Sequence, residues 1–381
     1  MCRKIRVLRI TGQCKLGGVE MIALNYYRNM DHSRFAMDFL FFGESLPLFS
    51  RELESNGDRV INVTDYTENP FKSIAEIKKV VSAGNYDIVH SQLNTLNFIP
   101  LLGAALGGAK IRIASNHSTA NLRYETKKSV IKYIIRPTAG ILATDYAACS
   151  EYAGRWCFGK PADENGRIHV IKNAIDLEKF NFSEETRARV RKEMNWTGKF
   201  VVGHAGRFTE QKNHRFIVEI FEQIHKQCPE SILVLAGAGH LVDEIKEQVG
   251  RLGLNESVSF IGRRFDMDEL MQGMDVFLFP TLYEGLGNVI TEAQAVGLQS
   301  VVSDAVPDEV KMTDIVETVP LEKSAAEWAE HVLKYNNGYR HISKHNELRE
   351  AGYDIRFAVK DLERYYCTLV GEEYENTCCC T

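Results

Sequence analysis

Short runs of β-branched and apolar residues recur along this chain. Each is followed by a longer amphipathic stretch, and the whole series runs twice. The first series reads Ile5–Ile10, Met37–Phe42, Val60–Val63, Tyr86–His90, Ile111–Ser115 and Tyr146–Cys149. The second reads Phe200–Ala205, Ile232–Ala236, Val258–Ile261, Val276–Phe279 and Ser300–Ser303. Helical spacing fills the intervals, as at Val19–Met30, Arg215–Lys226 and Leu241–Arg251. Strands alternating with helices specify parallel sheets covered on both faces. Two series of similar size specify two doubly wound domains, and 381 residues is the right length for two cores. The polar stretch Asn181–Lys199 carries no strand signal and marks the boundary. This gives an N-terminal domain of residues 1–185 and a C-terminal domain of 186–354. A helix over 355–370 is expected to pack back on the N-terminal domain, followed by a tail at 371–381.

Composition removes several function classes. Lys+Arg is 46 against 51 Asp+Glu, a formal charge of −5, so no charge-driven nucleic-acid partner is expected. No apolar run reaches the roughly 18–20 residues that a spanning helix needs. The start, MCRKIRVLRITG, alternates charged and apolar residues like a strand rather than a secretion signal, so a cytoplasmic location is expected. Nine scattered cysteines with no CxxC pair predict neither a disulfide framework nor a zinc site. The Cys378–Cys380 run reads as a tail.

Ligands of open α/β sheets bind beyond the carboxyl ends of the strands, so the loops after them carry the chemistry. After the first strand, Gly12–Gly18 ends in Gly17-Gly18 before a helix. This is either a close approach for a phosphate or a plain tight turn. After Ala205 comes GRFTEQKN, with Arg207 and Lys212 five residues apart. The pair could neutralise a diphosphate, and a solvated basic loop is the alternative. After Pro280 comes TLYEGLGNVITEAQA. Glu284 and Glu292 stand eight residues apart, with Gly285, Leu286 and Gly287 where a helix should start. Free N–H groups there suit an anion, Glu284 suits sugar hydroxyls and Glu292 a ribose diol. His117, in ASNHST just past a strand, suits hydrogen bonding and proton transfer near neutral pH. His90, in IVHSQ, competes with it, and packing at a strand end is open for both.

The E-x7-E within YEGLGNVITEAQAVG, with GRFTEQKN about seventy residues before it, resembles family 4 of the retaining glycosyltransferases. GGVE at 17–20, NAIDLEKF at 173–180, LVLAGAG at 233–239 and SFIGRR at 259–264 extend the resemblance over most of the chain. The subgroup is similar to the EpsF-type enzymes of exopolysaccharide and capsule assembly. The resemblance implies a GT-B fold, two Rossmann-like domains facing across a nucleotide-sugar cleft. It implies that Arg207 and Lys212 bind the donor diphosphate and that Glu284 touches the donor sugar. Glu292 would hold the ribose, and the backbone of Gly285, Leu286 and Gly287 would line sugar and phosphates. Backbone around Gly262 and Arg263 would read the base, Gly17 and Gly18 would close over the diphosphate, and His117 would lie beside the donor sugar. His90 and Asn116 are expected on the acceptor side. No cofactor and no metal are expected. The donor implied is a UDP-sugar, and the acceptor a glycan carried on undecaprenyl or a similar lipid.

The stretch Asn121–Leu142 sets Arg123, Lys127, Lys128, Lys132 and Arg136 near Val130, Ile131 and Ile134. This suits a peripheral contact with the inner face of the plasma membrane, and an ordinary amphipathic helix is the alternative. The string AGAGH at 236–240 mimics a dinucleotide fingerprint, but Val242 stands at the third glycine position. A nucleotide-sugar 2-epimerase of the same fold and a non-catalytic nucleotide-sugar-binding partner subunit are the rival functions. Asp304–Glu309 departs from the family, where many members have paired glycines.

Overall fold

The computed structural model describes residues 3–13, 18–45, 47–119 and 126–374, excepting the side chains of 47–49, 126–129, 161 and 163. Among the described residues there are thirteen strands in two sheets, every pairing parallel. The first sheet holds β1 (Ile5–Ile10), β2 (Phe35–Phe42), β3 (Val60–Val63), β4 (Ile88–Ser91), β5 (Ile111–Asn116), β6 (Asp145–Ala148) and β7 (Ile168–Val170), in the order β3-β2-β1-β4-β5-β6-β7. The second holds β8 (Phe200–Ala205), β9 (Ser231–Ala236), β10 (Val258–Gly262), β11 (Val276–Phe279), β12 (Ser300–Ser303) and β13 (Val316–Val319), in the order β10-β9-β8-β11-β12-β13.

Alternation along each strand divides its side chains between two cores. In β1 and β2, Val7, Phe39 and Phe41 point to one layer, while Leu8, Ile10, Leu40 and Phe42 point to the other. The first layer is closed by the helices Gly18–Asn29 and Ile355–Val370, the second by Pro70–Gly84 and Phe98–Leu106. In the second sheet, Val202, Leu233 and Leu278 pack with Ile217, Phe221 and the fully buried Trp328.

The chain forms two compact units, one of residues 1–120, 127–174 and 355–381, the other of 121–126 and 175–354. The division therefore falls at Ala174/Ile175, not after residue 185. The polar helix Glu184–Glu193 belongs wholly to the second unit, because Arg187 and Arg191 both pair with the buried carboxylate of Asp275. Asp275 also accepts the Val201 N–H at 2.7 Å, tying that helix to the start of β8. The helix Ile355–Val370 is part of the first unit, with Tyr366 and Cys367 in its core.

Strand order reverses between β1 and β4 in one unit and between β8 and β11 in the other. At such switch points the loops leaving neighbouring strands part in opposite directions, and a crevice opens beyond the carboxyl ends.

Candidate active site

In the second unit the loops after β8 and β11 are laced together. Leu282 N–H donates to Gln211 O at 2.8 Å, Gln211 Nε2 to Tyr283 O at 2.9 Å, and Asn213 Nδ2 to Pro280 O at 3.0 Å. Asn213 takes φ 57°, a left-handed value that Asn tolerates, and turns the loop into the helix His214–Gln227. This scaffold joins Lys212 and Glu284, which the sequence separates by seventy-two positions. Lys212 Nζ lies 2.5 Å from Glu284 Oε1 and 4.5 Å from the centre of the Phe279 ring. Thr281 Oγ1 donates to the same Glu284 oxygen at 2.8 Å. Glu284 is buried, while Arg207, on the same loop as Lys212, is exposed. Gly287 caps the helix Asn288–Ala295 at φ 87°, a conformation that favours glycine, and no side-chain hydrogen bond caps that end. Gly285, Leu286 and Gly287 thus stand at a helix N-terminus beside a carboxylate–ammonium pair.

The AGAG string has a steric role. A Cβ at Gly237 would meet Gly206 O at 1.9 Å, and one at Gly239 would meet Phe208 O at 2.3 Å. Both glycines let the Arg207–Lys212 loop lie flat on the next turn, where Gly206 N–H donates to Ala236 O at 2.9 Å and Phe208 N–H to Ala238 O at 3.0 Å. Beneath the loop, His214 stacks on Phe208 with centroids 3.9 Å apart and meets His204 at 4.8 Å. Burial drives these imidazoles down to about 2 for His214 and about 3 for His204, so both are neutral packing groups. Sequence reasoning missed Thr281, Gln211 and the two histidines. Only the position of His204 at a strand end could have marked it.

Glu292 sits in the helix begun by Gly287, half-buried. Burial, helped by Asp268 and opposed by Lys179, pushes its carboxyl up to about 7. Asp268 and Lys179 pair with each other at 3.6 Å. Gly262 (φ 66°) ends β10 and Arg263 follows it, both exposed.

In the first unit Arg9, His90, Gln92, Ser115 and Asn116 are buried at the switch point. His117, half-buried, has Nε2 3.1 Å from Gln92 Nε2 and 3.2 Å from Ser115 Oγ, and its backbone N–H donates to Asn94 Oδ1 at 2.6 Å. Its pKa is driven to about 3, by burial first and then by the Arg9 charge, against a hydrogen bond to Asn173. Proton transfer near neutral pH, expected of His117, does not fit this setting. His90 is fully buried under the helix Ile355–Val370. Its Nδ1 lies 2.7 Å from Tyr366 Oη, and burial holds it well below the usual imidazole range. Asn116 is fully buried, and its Nδ2 donates to Ser118 O and Ala153 O at 2.8 Å each. Gly17 lies outside the described residues, as do Lys15 and Arg123, and Gly18 is the first residue of the helix Gly18–Asn29.

On the surface of the first unit, Ile131 (58% exposed) and Ile134 (70%) stand out from the helix Thr126–Ile135. Lys132 Nζ donates to Thr119 O at 3.3 Å, and the Arg136 guanidinium lies over Tyr133 and Trp156, 5.4 and 5.8 Å from their ring centres. A groove of about 390 Å³ opens beside it, lined by Arg136, Ile141, Tyr146, Cys157, Phe158 and Arg167 among others. Among the described residues no helix is long and apolar enough to cross a membrane, and no three His, Cys, Asp or Glu side chains converge as a metal site.

Two parallel Rossmann-like sheets, each with its polar residues at the strand reversal, make this a protein of GT-B fold. Residues 16–179 match the model of Glycosyltransferase Family 4, and residues 199–336 that of Glycosyl transferases group 1. The chain is 31% identical to the glycosyltransferase-family protein EpsF of Bacillus subtilis (strain 168), across 95% of this chain and 96% of that one. It belongs to glycosyltransferase family 4. It is 25% identical to the UDP-Gal:alpha-D-GlcNAc-diphosphoundecaprenol alpha-1,3-galactosyltransferase of Escherichia coli, across 79% of this chain and 80% of that one. Among solved structures, Anabaena HepE in complex with UDP and glucose superposes with a TM-score of 0.71 at 19% identity, covering 96% of this chain and 97% of HepE.

Proposed function

We propose that the chain is a retaining, metal-independent transferase that moves a sugar from a UDP-sugar to a lipid-linked glycan in bacterial surface-polysaccharide synthesis. The observation that carries the proposal is the Lys212–Glu284 pair beside the uncapped helix at Gly287. Lys212 and the exposed Arg207 meet the diphosphate, and the helix N–H groups share its charge. As the bond from the anomeric carbon to the phosphate oxygen breaks, its electron pair stays on the diphosphate, where these donors stabilise it. The acceptor hydroxyl attacks from the same face, and its proton passes to the departing phosphate oxygen. Glu284, once Lys212 turns to the diphosphate, accepts sugar hydroxyls, and Glu292 holds the ribose diol. The nucleotide and acceptor classes are taken from relatives, since the E. coli enzyme uses UDP-Gal and a diphosphoundecaprenol-linked sugar, and HepE was solved with UDP.

Contact with an anionic membrane surface is part of the same proposal, through the exposed Ile131 and Ile134 and the Arg136–Arg167 groove. Binding to vesicles containing anionic lipid should fall in an Ile131→Glu, Ile134→Glu variant. The first test of the donor is thermal stabilisation by UDP-, GDP-, ADP- and dTDP-sugars with and without EDTA. A ligand at 100 times its Kd adds about 2.7 kcal/mol to stability. A shift with UDP-sugars that survives EDTA is expected, and a shift confined to another nucleotide, or lost in EDTA, overturns the donor or the metal independence.

A further inference from the structure

The carboxyl ends of β1, β4 and β5 bring together Arg9, Gln92, Ser115 and His117. Arg9 is fully buried, and its two Nη atoms have no hydrogen-bond partner. An unpaired guanidinium in the interior is expensive, so packing alone does not account for it. Its side-chain hydrogen bond is informative: Nε donates to Gln92 Oε1 at 3.0 Å. A guanidinium has no acceptor, so the Gln92 oxygen must face Arg9, and the amide nitrogen must face away. That nitrogen lies 3.1 Å from His117 Nε2. An amide nitrogen only donates, so His117 Nε2 must be the bare, accepting nitrogen, and the Ser115 hydroxyl 3.2 Å away donates to it as well. The ring proton is left to Nδ1, a buried atom with no hydrogen-bond partner among the described residues.

We propose that Arg9 and Gln92 are positioning residues that lock His117 as the neutral Nδ1–H tautomer, the guanidinium fixing the amide and the amide fixing the ring. The charged groups facing the ring support the neutral form. Arg9 from β1 repels a second positive charge, His90 from β4 is itself neutral, and Gln92 and Ser115 spend their donors on Nε2. The inference rests on the expectation, implied by the family resemblance, that His117 lies beside the donor sugar. There the lock has a purpose, because an imidazolium would oppose the positive charge that develops on the sugar ring, whereas the neutral ring does not. It also removes Nε2 as a base, consistent with a proton that leaves on the diphosphate.

The test uses 15N-histidine-labelled full-length protein at pH 7, with the His117 signals assigned by their loss in His117→Asn. Long-range 1H–15N correlation should show a protonated Nδ1 and an unprotonated Nε2. In Gln92→Glu the carboxylate pairs with Arg9 and offers an oxygen to the ring, so the tautomer should invert to Nε2–H. In Arg9→Met the amide is free to turn, so the two tautomers should interconvert. Because a buried unpaired charge is removed, the melting temperature of this variant should not fall. An Nε2–H signature in the unmodified protein, or an unchanged signature in Gln92→Glu, overturns the lock. If the tautomer inverts as stated, kcat should fall about tenfold or more with KM little changed, as for a misoriented group at the reacting atoms. Inversion with unchanged kcat upholds the lock and overturns instead the placement of His117 beside the sugar.

Discussion

The two switch points handle charge in opposite ways. In the second unit the largely buried Lys212 and Glu284 are paired with each other beyond the strand reversal, and Arg207 on the same loop is exposed. In the first unit the cation, Arg9, is fully buried, its guanidinium edge is unpaired, and neutral amides and imidazoles surround it. The outward arrangement suits a ligand that brings its own charge, because an ion pair can be exchanged for a diphosphate. The inward arrangement suits the holding of a neutral ring. The same topology thus holds its charges paired in one unit and buries a cation with unpartnered Nη atoms in the other.

The largest expected effects test the outward pole. Glu284→Ala and Lys212→Ala should each lower turnover on the order of 10³-fold, since each removes a group at the reacting bond and strands its partner. Steady-state kinetics near the unmodified rate in both would place the diphosphate elsewhere. Arg207→Ala should cost on the order of 10²-fold, less because the exposed guanidinium is screened until donor binds. A variant with normal kcat/KM would remove Arg207 from the site.

Glu292 sharpens the comparison through pH. Its folded carboxyl keeps its proton up to about 7, whereas the ordinary value is 4.5. The folded state therefore binds more proton than the unfolded one between these values, and stability should decline as pH rises through that window. Calorimetric melts of Glu292→Gln should lack that decline. Nucleotide affinity should rise as the pH passes 7, where the carboxylate becomes a better acceptor for a ribose diol. Titration calorimetry showing a flat profile would take Glu292 off the ribose. The smallest effect is expected at the inward pole: His90→Phe should lower the melting temperature through loss of the Tyr366 contact, yet leave the KM for acceptor unchanged.

The difference between the poles also explains what was legible. Strand alternation exposed eleven of the thirteen strands. β7 and β13 were missed because each is a short edge strand, three and four residues long, with half-exposed positions that give no apolar run. Arg207, Lys212, Glu284 and Glu292 lie in loops and a helix start, where polar residues with fixed spacing stand out against apolar strands. Arg9 and Gln92 could not be found that way. Arg9 lies inside IRVLRI and reads as the exposed face of a strand, whereas β1 is central and has no exposed face. The boundary at residue 185 failed for a similar reason. The helix Glu184–Glu193 looks like a polar linker until Asp275, more than eighty positions on, is seen to collect its arginines.

The division of the chain has a consequence for biogenesis. Residues 175–354 form one unbroken stretch, and Ile175 and Asp354, at its two ends, are joined as a β-bridge. The first unit needs residues 355–370, which supply Ile355, Val359, Leu362 and Tyr366 to its core. During synthesis the amino-terminal sheet would emerge first but lack one wall until the ribosome has passed the whole second unit. The usual vectorial order is thereby reversed, and the part made last decides when the part made first can close.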